Sequence, residues 1–418
     1  MNKLKTLENV EMSDKTVILR VDYNVPMAIN DIKTVKSYHR VEATIPTIEE
    51  IFKKSASKIV IISHMGRPEG IDKKYSLSIV VDNLSKLTGE KVEFIDPFTE
   101  VDGIVVFNLE ETKAKIDGSD SKIILLENLR YSPLESSNDF EFSKKLSQLG
   151  EVYVNDGFAV SHRAHASVEG ITHHMENTCA GFLIEKELST IDHFLSKMEK
   201  ESTVCLVGGS KVSTKIGLIK HFTILSSHIL LGCAFSCPFI KRAGKSIGKS
   251  PYAPEEQMHL VEELLTSATT NKCEIMVAKD MYVTNVDNSI IQTLEHFEHF
   301  LRTSNDIEDH ETINDLGDST IQKYKEIISK ASTVIWCGPV GWSDLPPFNN
   351  ASNELAKHIA HCSKKNGLVS IAGGGDTAST LIETSTFNDF TFVSTAGGAF
   401  IEYIEGNSLP GIKAVSER

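Results

Sequence analysis

The chain has no apolar run approaching the ~20 residues needed to cross a bilayer, and its opening segment, Met1 to Glu8, holds no apolar stretch of signal-peptide length. Both absences predict a cytoplasmic protein with no membrane partner. Cysteine is missing from the first 178 positions; all seven (Cys179, Cys205, Cys233, Cys237, Cys273, Cys337, Cys362) follow, mostly in apolar, strand-like contexts. That distribution predicts reduced, buried thiols. Cys233 and Cys237 have no second Cys or His pair at zinc spacing, which argues against a zinc site. Positive charge is scarce as well: the net charge is -14, which argues against nucleic acid as a partner. Only eight of the 43 basic residues are arginine, and five of those eight (Arg20, Arg40, Arg67, Arg130, Arg163) fall in the first 163 positions. In a chain that otherwise uses lysine, this clustering suits bidentate capture of carboxylate or phosphate.

What is present points to two α/β domains. A length of 418 residues, 40% hydrophobic and 24% charged, exceeds one ordinary core and predicts two domains of about 200 residues each. In the first half, β-branched runs alternate with helix-period segments, the pattern of a parallel sheet flanked by helices. The expected strands are Thr16 to Val21, Lys58 to Ile62, Val92 to Phe94, Ile123 to Leu126 and Val152 to Val154. Four of them run into polar residues: Asp22 and Asn24, His64 with Gly66 and Arg67, Asn128 with Arg130, and Asn155-Asp156-Gly157. Carboxyl ends of parallel strands share one edge, so these residues are expected to face one cleft. Arg40 opens a helical segment from Val41 to Phe52, and Arg163 lies in His162-Arg163-Ala164-His165.

A long amphipathic segment from Gly181 to about Lys200, with no strand signal on either flank, reads as a helix joining the domains. The βα rhythm then resumes with strands expected at Thr203 to Val207, His228 to Leu231, Glu274 to Val277, Thr333 to Trp336, Leu368 to Ile371 and Thr391 to Val393. Here strand ends carry glycine and lysine. Gly208-Gly209-Ser210-Lys211 leads to Lys215, and the two lysines, four apart, are expected on one face of the following helix. The stretch Val369 to Ala378 reads as a strand that breaks into Gly373-Gly374-Gly375 and restarts as a helix. Bare glycine amides and the positive helix end form a phosphate seat. Asp376 suits Mg²⁺ and Thr377 a phosphate oxygen, although Asp376 as a plain N-cap stays open. Gly338-Pro339-Val340-Gly341 and Ala396-Gly397-Gly398-Ala399 are two further glycine turns. Gly244-Lys245-Ser246 and Gly248-Lys249-Ser250 lack the upstream glycine of a P-loop, and the triple glycine has no following acid for a dinucleotide ribose. Arginines in one half, and lysines, glycine loops and a metal-ready carboxylate in the other, imply two anionic ligands and phosphoryl transfer.

These motifs also resemble the phosphoglycerate kinase family from about Lys15 to Val415. The resemblance is carried by Arg20 to Pro26, Ser63 to Pro68, Leu125 to Tyr131, Asn155 to Ser167, Gly181 to Leu188, Gly208 to Gly217, Gly373 to Ala378 and Leu409 to Gly411. It implies two doubly wound parallel-sheet domains facing a central cleft: residues 1–182 for phosphoglycerate, a helix over 183–200, and 201–404 for nucleotide, with the tail 405–418 packing back on the first. It implies a hinge-bending monomer that moves a phosphoryl group between 1,3-bisphosphoglycerate and ADP, giving 3-phosphoglycerate and ATP, with Mg²⁺. By analogy Asp22, Asn24, Arg40, His64, Gly66, Arg67, Arg130 and Arg163 hold phosphoglycerate. Arg40, Lys211, Lys215, Gly397 and Gly398 act on the moving group, while Lys215, Asp344, Gly374, Gly375, Asp376 and Thr377 hold the nucleotide and Asp376 the metal. His162 and His165 support the basic patch. Departures from the family pattern gather at Gly232 to Phe239, Ile313, Cys337, Trp342 to Asp344 and Ala396. They predict a reshaped base and ribose pocket with altered nucleotide preference; a non-catalytic binding relative is the rival reading.

Overall fold

The computed structural model describes residues 3–28, 31–210, 215–251 and 258–417. It divides into two compact units, one running to Ile191 and rejoined by the segment from Asn407 onward, the other spanning Asp192–Gly406. In the first, six parallel strands lie in the order Thr178–Ala180, Val152–Asn155, Thr16–Arg20, Lys58–Ile62, Ile123–Leu126, Val92–Ile95. Ile59 to Ile62 and Ile123 to Leu126 are fully enclosed. An unbroken β-branched run has no polar side to offer water, so these strands fit only a sheet covered on both faces. The second unit repeats the plan, in the order Glu274–Met276, His228–Leu231, Thr203–Val207, Thr333–Cys337, Val369–Gly373, Phe392–Ser394. Counted along the chain within that sheet, this is 3-2-1-4-5-6, the doubly wound order, and its reversal lies between Thr203–Val207 and Thr333–Cys337. In the first sheet the corresponding reversal lies between Thr16–Arg20 and Val152–Asn155.

Several elements differ from the sequence expectation. The helix Phe182–Lys197 is preceded by a strand, Thr178–Ala180, which pairs with Val152–Asn155. Three residues are too few to show a period, which is why that flank read as empty. The segment expected from Val41 to Phe52 is two helices, His39–Glu42 and Ile45–Lys53, divided where Pro46 takes the opening turn of the second. A three-stranded antiparallel sheet, Phe300–Thr303, Asp280–Thr284, Thr312–Leu316, went unanticipated because its pairing joins distant, irregular segments across a bulge. So did the hairpin Phe98–Val101 with Ile104–Phe107, whose Asp102-Gly103 turn has both residues at positive φ, 50° and 76°.

Two anchors complete the first unit. Asp156 Oδ1 accepts the N–H groups of Leu183 and Ile184 at 2.9 and 3.3 Å, fastening the start of Phe182–Lys197. Burial pushes this carboxyl up to about 7, with Thr47 and the two helix amides opposing. The closing segment packs on the same unit: Gly411 N–H donates to Ser161 O at 2.9 Å, Asn155 Nδ2 donates to Gly411 O at 3.2 Å, and Leu409 and Val415 are buried. Leu409→Ala should therefore cost about 2–4 kcal/mol, and urea unfolding followed by hydrogen exchange should place the loss in the first unit. Unchanged protection of the first sheet would contradict this packing.

Candidate active site

In the first unit, the loops after Thr16–Arg20, Lys58–Ile62, Ile123–Leu126 and Val152–Asn155 lie at one sheet edge. Asp22 is almost enclosed and forms an ion pair with Arg40; its Oδ1 accepts Asn24 N–H at 3.1 Å and lies 3.8 Å from His64 Nδ1. Asn24 Oδ1 accepts Gly66 N–H at 2.8 Å, and Arg130 Nη1 donates to Gly66 O at 2.7 Å. The Gly66 peptide is thus pinned from both sides. Its φ is +60°, and a Cβ there would lie 2.2 Å from Tyr75 Cδ1, so only glycine fits. Arg163 Nε donates to His162 Nε2 at 3.1 Å, while Arg67 is exposed with no hydrogen bond or ion pair among the described residues. Asp22, Asn24, Arg40, His64, Gly66 and Arg130 are therefore linked into one cluster. Arg20 is fully buried: Nε donates to Ser167 Oγ at 2.8 Å, Nη1 donates to Val21 O, and Nη2 stands 3.4 Å from His64 Nδ1. Ser167 Oγ passes its own hydrogen to Glu135 at 2.6 Å, so Arg20 braces the cluster from behind.

Cations crowd this edge, and the neighbouring groups record it. Burial first, then Arg130, Arg20 and Arg40, hold His64 well below the usual imidazole range. Burial and Arg163 push His162 down to about 4; burial and Arg130 push His165 down to about 3. Burial, Arg20 and Arg163 bring Arg130 down to about 10, still protonated at neutral pH. The expected support of His162 and His165 for the basic patch therefore carries no charge in the ligand-free protein; the charge belongs to the guanidinium groups.

In the second unit, the site gathers at the strand reversal. Gly209 N–H donates to Pro339 O at 2.7 Å, and a Cβ on Gly208 would lie 1.9 Å from that same oxygen, so the two glycine turns touch. Lys215 Nζ donates to Gly208 O at 2.6 Å and Cys337 O at 3.1 Å, and lies 5.8 Å from the centre of the Phe235 ring. Burial lowers its pKa, against the pull of Cys337 and Asp376. The following α-helix is Ile216–Leu225, with Lys215 as its N-cap, and the expectation that Lys211 shares a helix face with Lys215 falls on residues outside the described ones.

The triple-glycine bend behaves as a helix mouth. Gly374, at φ +114°, caps the helix Gly375–Glu383; Asp376 is inside its first turn, which removes the plain N-cap reading. Gly374 N–H donates to Ala396 O at 2.9 Å, and a Cβ on Gly397 would lie 3.2 Å from Gly374 Cα, bringing the Gly397-Gly398 turn against the bend. The Thr377 hydroxyl accepts Gly338 N–H at 2.9 Å and donates to Gly373 O at 3.2 Å. Its hydrogen is committed inside the protein, leaving the backbone N–H of the first turn as the group open to a phosphate. Asp376 and Asp344 line a cavity of about 330 Å³ together with Gly209, Ser210 and Pro339. Both carboxylates lie at exposed positions, yet the protein packed around Asp376 and then the Asp344 charge raise the pKa of Asp376, with Lys215 opposing. Oxygen donors of this kind, at a helix mouth among bare amides, fit a Mg²⁺ ion that shares phosphate oxygens. The same cavity is lined by Trp342, one of the departures from the family pattern, and by Asn288 and Asn314, neither of which was singled out from the sequence. They lie far apart in the chain, and no local motif joins them.

A family model, phosphoglycerate kinase, matches residues 7–407. The chain belongs to the phosphoglycerate kinase family. Among curated relatives, the phosphoglycerate kinase of Maricaulis maris is 35% identical over 99% of this chain and 98% of its own length; that of Finegoldia magna is 36% identical over the whole of both. The solved phosphoglycerate kinase of Coxiella burnetii matches with a TM-score of 0.74 at 30% identity, over 99% of this chain and 98% of its own. That of Pyrococcus horikoshii matches with a TM-score of 0.77 at 26% identity, with the same coverage. The two parallel sheets are those of phosphoglycerate kinases, and the chain is a glycolytic kinase, as the sequence motifs implied.

For a phosphoglycerate kinase with neutral histidines at a cationic edge, the pH behaviour follows. His162 and His165 are neutral in the folded state until about pH 4 and 3, whereas the unfolded chain binds these protons near pH 6.5. Stability should therefore fall as pH drops from about 6.5 toward 4. Nitrogen-15 NMR of the imidazoles should show both rings neutral at pH 5.5, and their pKa values should rise when 3-phosphoglycerate neutralises the arginines. Rings already charged at pH 6 without ligand would contradict the assignment.

Proposed function

We propose that the first unit holds 3-phosphoglycerate or 1,3-bisphosphoglycerate through Asp22, Asn24, His64, Gly66, Arg67, Arg130 and Arg163, and that the second holds Mg²⁺ with ADP or ATP. The observation that supports this most directly is the meeting of Lys215, Asp376 and the glycine turns at one strand reversal, where a ligand can take backbone amides, a cation and a carboxylate together. Arg40, Lys211 and Lys215 neutralise charge on the moving phosphoryl group, with the Gly397-Gly398 amides. Asp344 meets the ribose, the Gly374-Gly375 amides and the Thr377 N–H meet nucleotide phosphates, and Asp376 holds the metal. When bound, Mg²⁺ neutralises phosphate charge. The attacking carboxylate is already ionised at neutral pH, so no general base is required of this chain. The protein acts as a monomer, a reading that rests on its family and is checked by light scattering.

Arg40 separates positioning from transition-state stabilisation. Arg40→Ala should lower kcat by about 10²–10³ while changing the KM for 3-phosphoglycerate less than about threefold. Equal losses in affinity and rate would make Arg40 a binding residue. Asp376→Asn should weaken Mg-ADP at least tenfold, by calorimetry, with little effect on metal-free ADP. Because proton and metal compete for a carboxylate whose pKa is raised, Mg-ADP affinity should decline on acidification more steeply in the parent protein than in the variant, where only the ADP phosphate still titrates.

A further inference from the structure

Asn314 sits mid-strand in Thr312–Leu316, only 2% exposed, and neither its Oδ1 nor its Nδ2 has a hydrogen-bond partner among the described residues. Its neighbour Asp315, equally buried, shows the contrast: Asp315 Oδ1 accepts Leu316 N–H at 2.9 Å and Oδ2 accepts Ala351 N–H at 2.9 Å. Buried side-chain amides left wholly unpaired are rare and costly. This one lines the cavity of about 330 Å³ that also holds Asp376 and Asp344. Asn288, on the same cavity, has a buried Oδ1 that is likewise unpaired. The peptide of Asn314 fixes the wall beside it, since Trp342 N–H donates to Asn314 O at 3.0 Å.

Resting on the nucleotide reading of this cavity, we propose that Asn314 is a specificity-determining residue that reads the polar edge of the nucleotide base, assisted by Asn288. A carboxamide presents one acceptor and one donor side by side. That pair complements an amino group beside a ring nitrogen, as in adenine, or a carbonyl beside a ring N–H, as in guanine. It does not complement an unsubstituted purine. A site built with paired hydrogen-bonding groups penalises the analogue that leaves them unmatched far more than an apolar pocket penalises a lost methylene. The sequence departures at Trp342 to Asp344 fall on this same wall, and Ile313, in the core, precedes Asn314 in its strand. Their consequence is a base held by hydrogen bonds as well as by packing.

The test uses the full chain with ADP, GDP and purine riboside 5′-diphosphate. Affinity is read by calorimetry and by the change in tryptophan fluorescence, since Trp342 lines the cavity and Trp336, the other tryptophan, does not. The better of ADP and GDP should bind at least tenfold more tightly than the unsubstituted purine nucleotide. Asn314→Leu, close in volume, should shrink that gap below about threefold by weakening the favoured base alone. Asn314→Ala serves as the second variant, and unchanged binding of the purine riboside diphosphate, which needs the second unit intact, together with an unchanged urea-unfolding midpoint, certifies folding. A gap of equal size in parent and variants overturns the proposal, as does equal binding of all three nucleotides by the parent. Failure of every diphosphate to bind the parent would overturn the nucleotide site itself and this inference with it.

Discussion

The parallel pairing of Val207 with Cys337 is the constraint from which the second unit's site follows. Strand order reverses between these two strands, so the chain departs from them in opposite directions and leaves their ends facing without a helix between. Gly208-Gly209 and Gly338-Pro339 fill that opening at a separation no side chain tolerates at Gly208. Their closeness aligns the carbonyls of Gly208 and Cys337 so that one ammonium group, that of Lys215, bridges both. Thr377 carries the link to a third strand by joining Gly338 to Gly373. Cation, glycine turns and helix mouth are thus one hydrogen-bonded assembly, and moving any strand end moves all three.

The first unit uses the same sheet geometry with different chemistry. Its strand ends hold guanidinium groups in fixed directions, with the Gly66 peptide clamped by Asn24 and Arg130 and with Arg20 buried behind as a brace. Repulsion among those cations is partly relieved by Asp22, and burial first, then the remaining guanidinium charge, keeps the pKa values of His64, His162 and His165 low. An anion placed there gains from every guanidinium at once, and the neutral imidazoles contribute hydrogen bonds without adding to the repulsion. Planar forks suit a small ligand whose carboxylate and phosphate must be oriented, whereas bare amides suit the flexible phosphate chain of a nucleotide.

Most of both parallel sheets was legible because fully buried strands announce themselves as short β-branched runs followed by abrupt polarity, as at Ile59 to His64. The strand, glycine bend and helix mouth at Gly373 to Thr377 were legible for a related reason, since their signal lies in consecutive residues. Elements defined by distant pairing were not, among them Thr178–Ala180 and the sheet of Asp280–Thr284 with Thr312–Leu316. The hairpin at Asp102-Gly103 was a different case, since its turn dipeptide was visible and its flanking strands alternate only weakly. Arg20 was counted with the clustered arginines because composition cannot distinguish a guanidinium aimed outward from one enclosed behind its neighbours.

The same distinction separates the two ends of a nucleotide. Phosphates are recognised by local backbone geometry, so their site condenses into a motif. A base is recognised by side chains that a fold collects from separate elements, as this fold collects Asn288, Asn314 and Trp342 on one cavity wall. No spacing rule ties those positions, and each can change without disturbing Gly374, Gly397 or Lys215. At Gly208 and Gly338 a Cβ would meet backbone, and at Gly374 the φ of +114° favours glycine, whereas the base end answers only to the ligand. Divergence in such a chain therefore accumulates on the base wall first, and the polarity of that wall follows the base it receives.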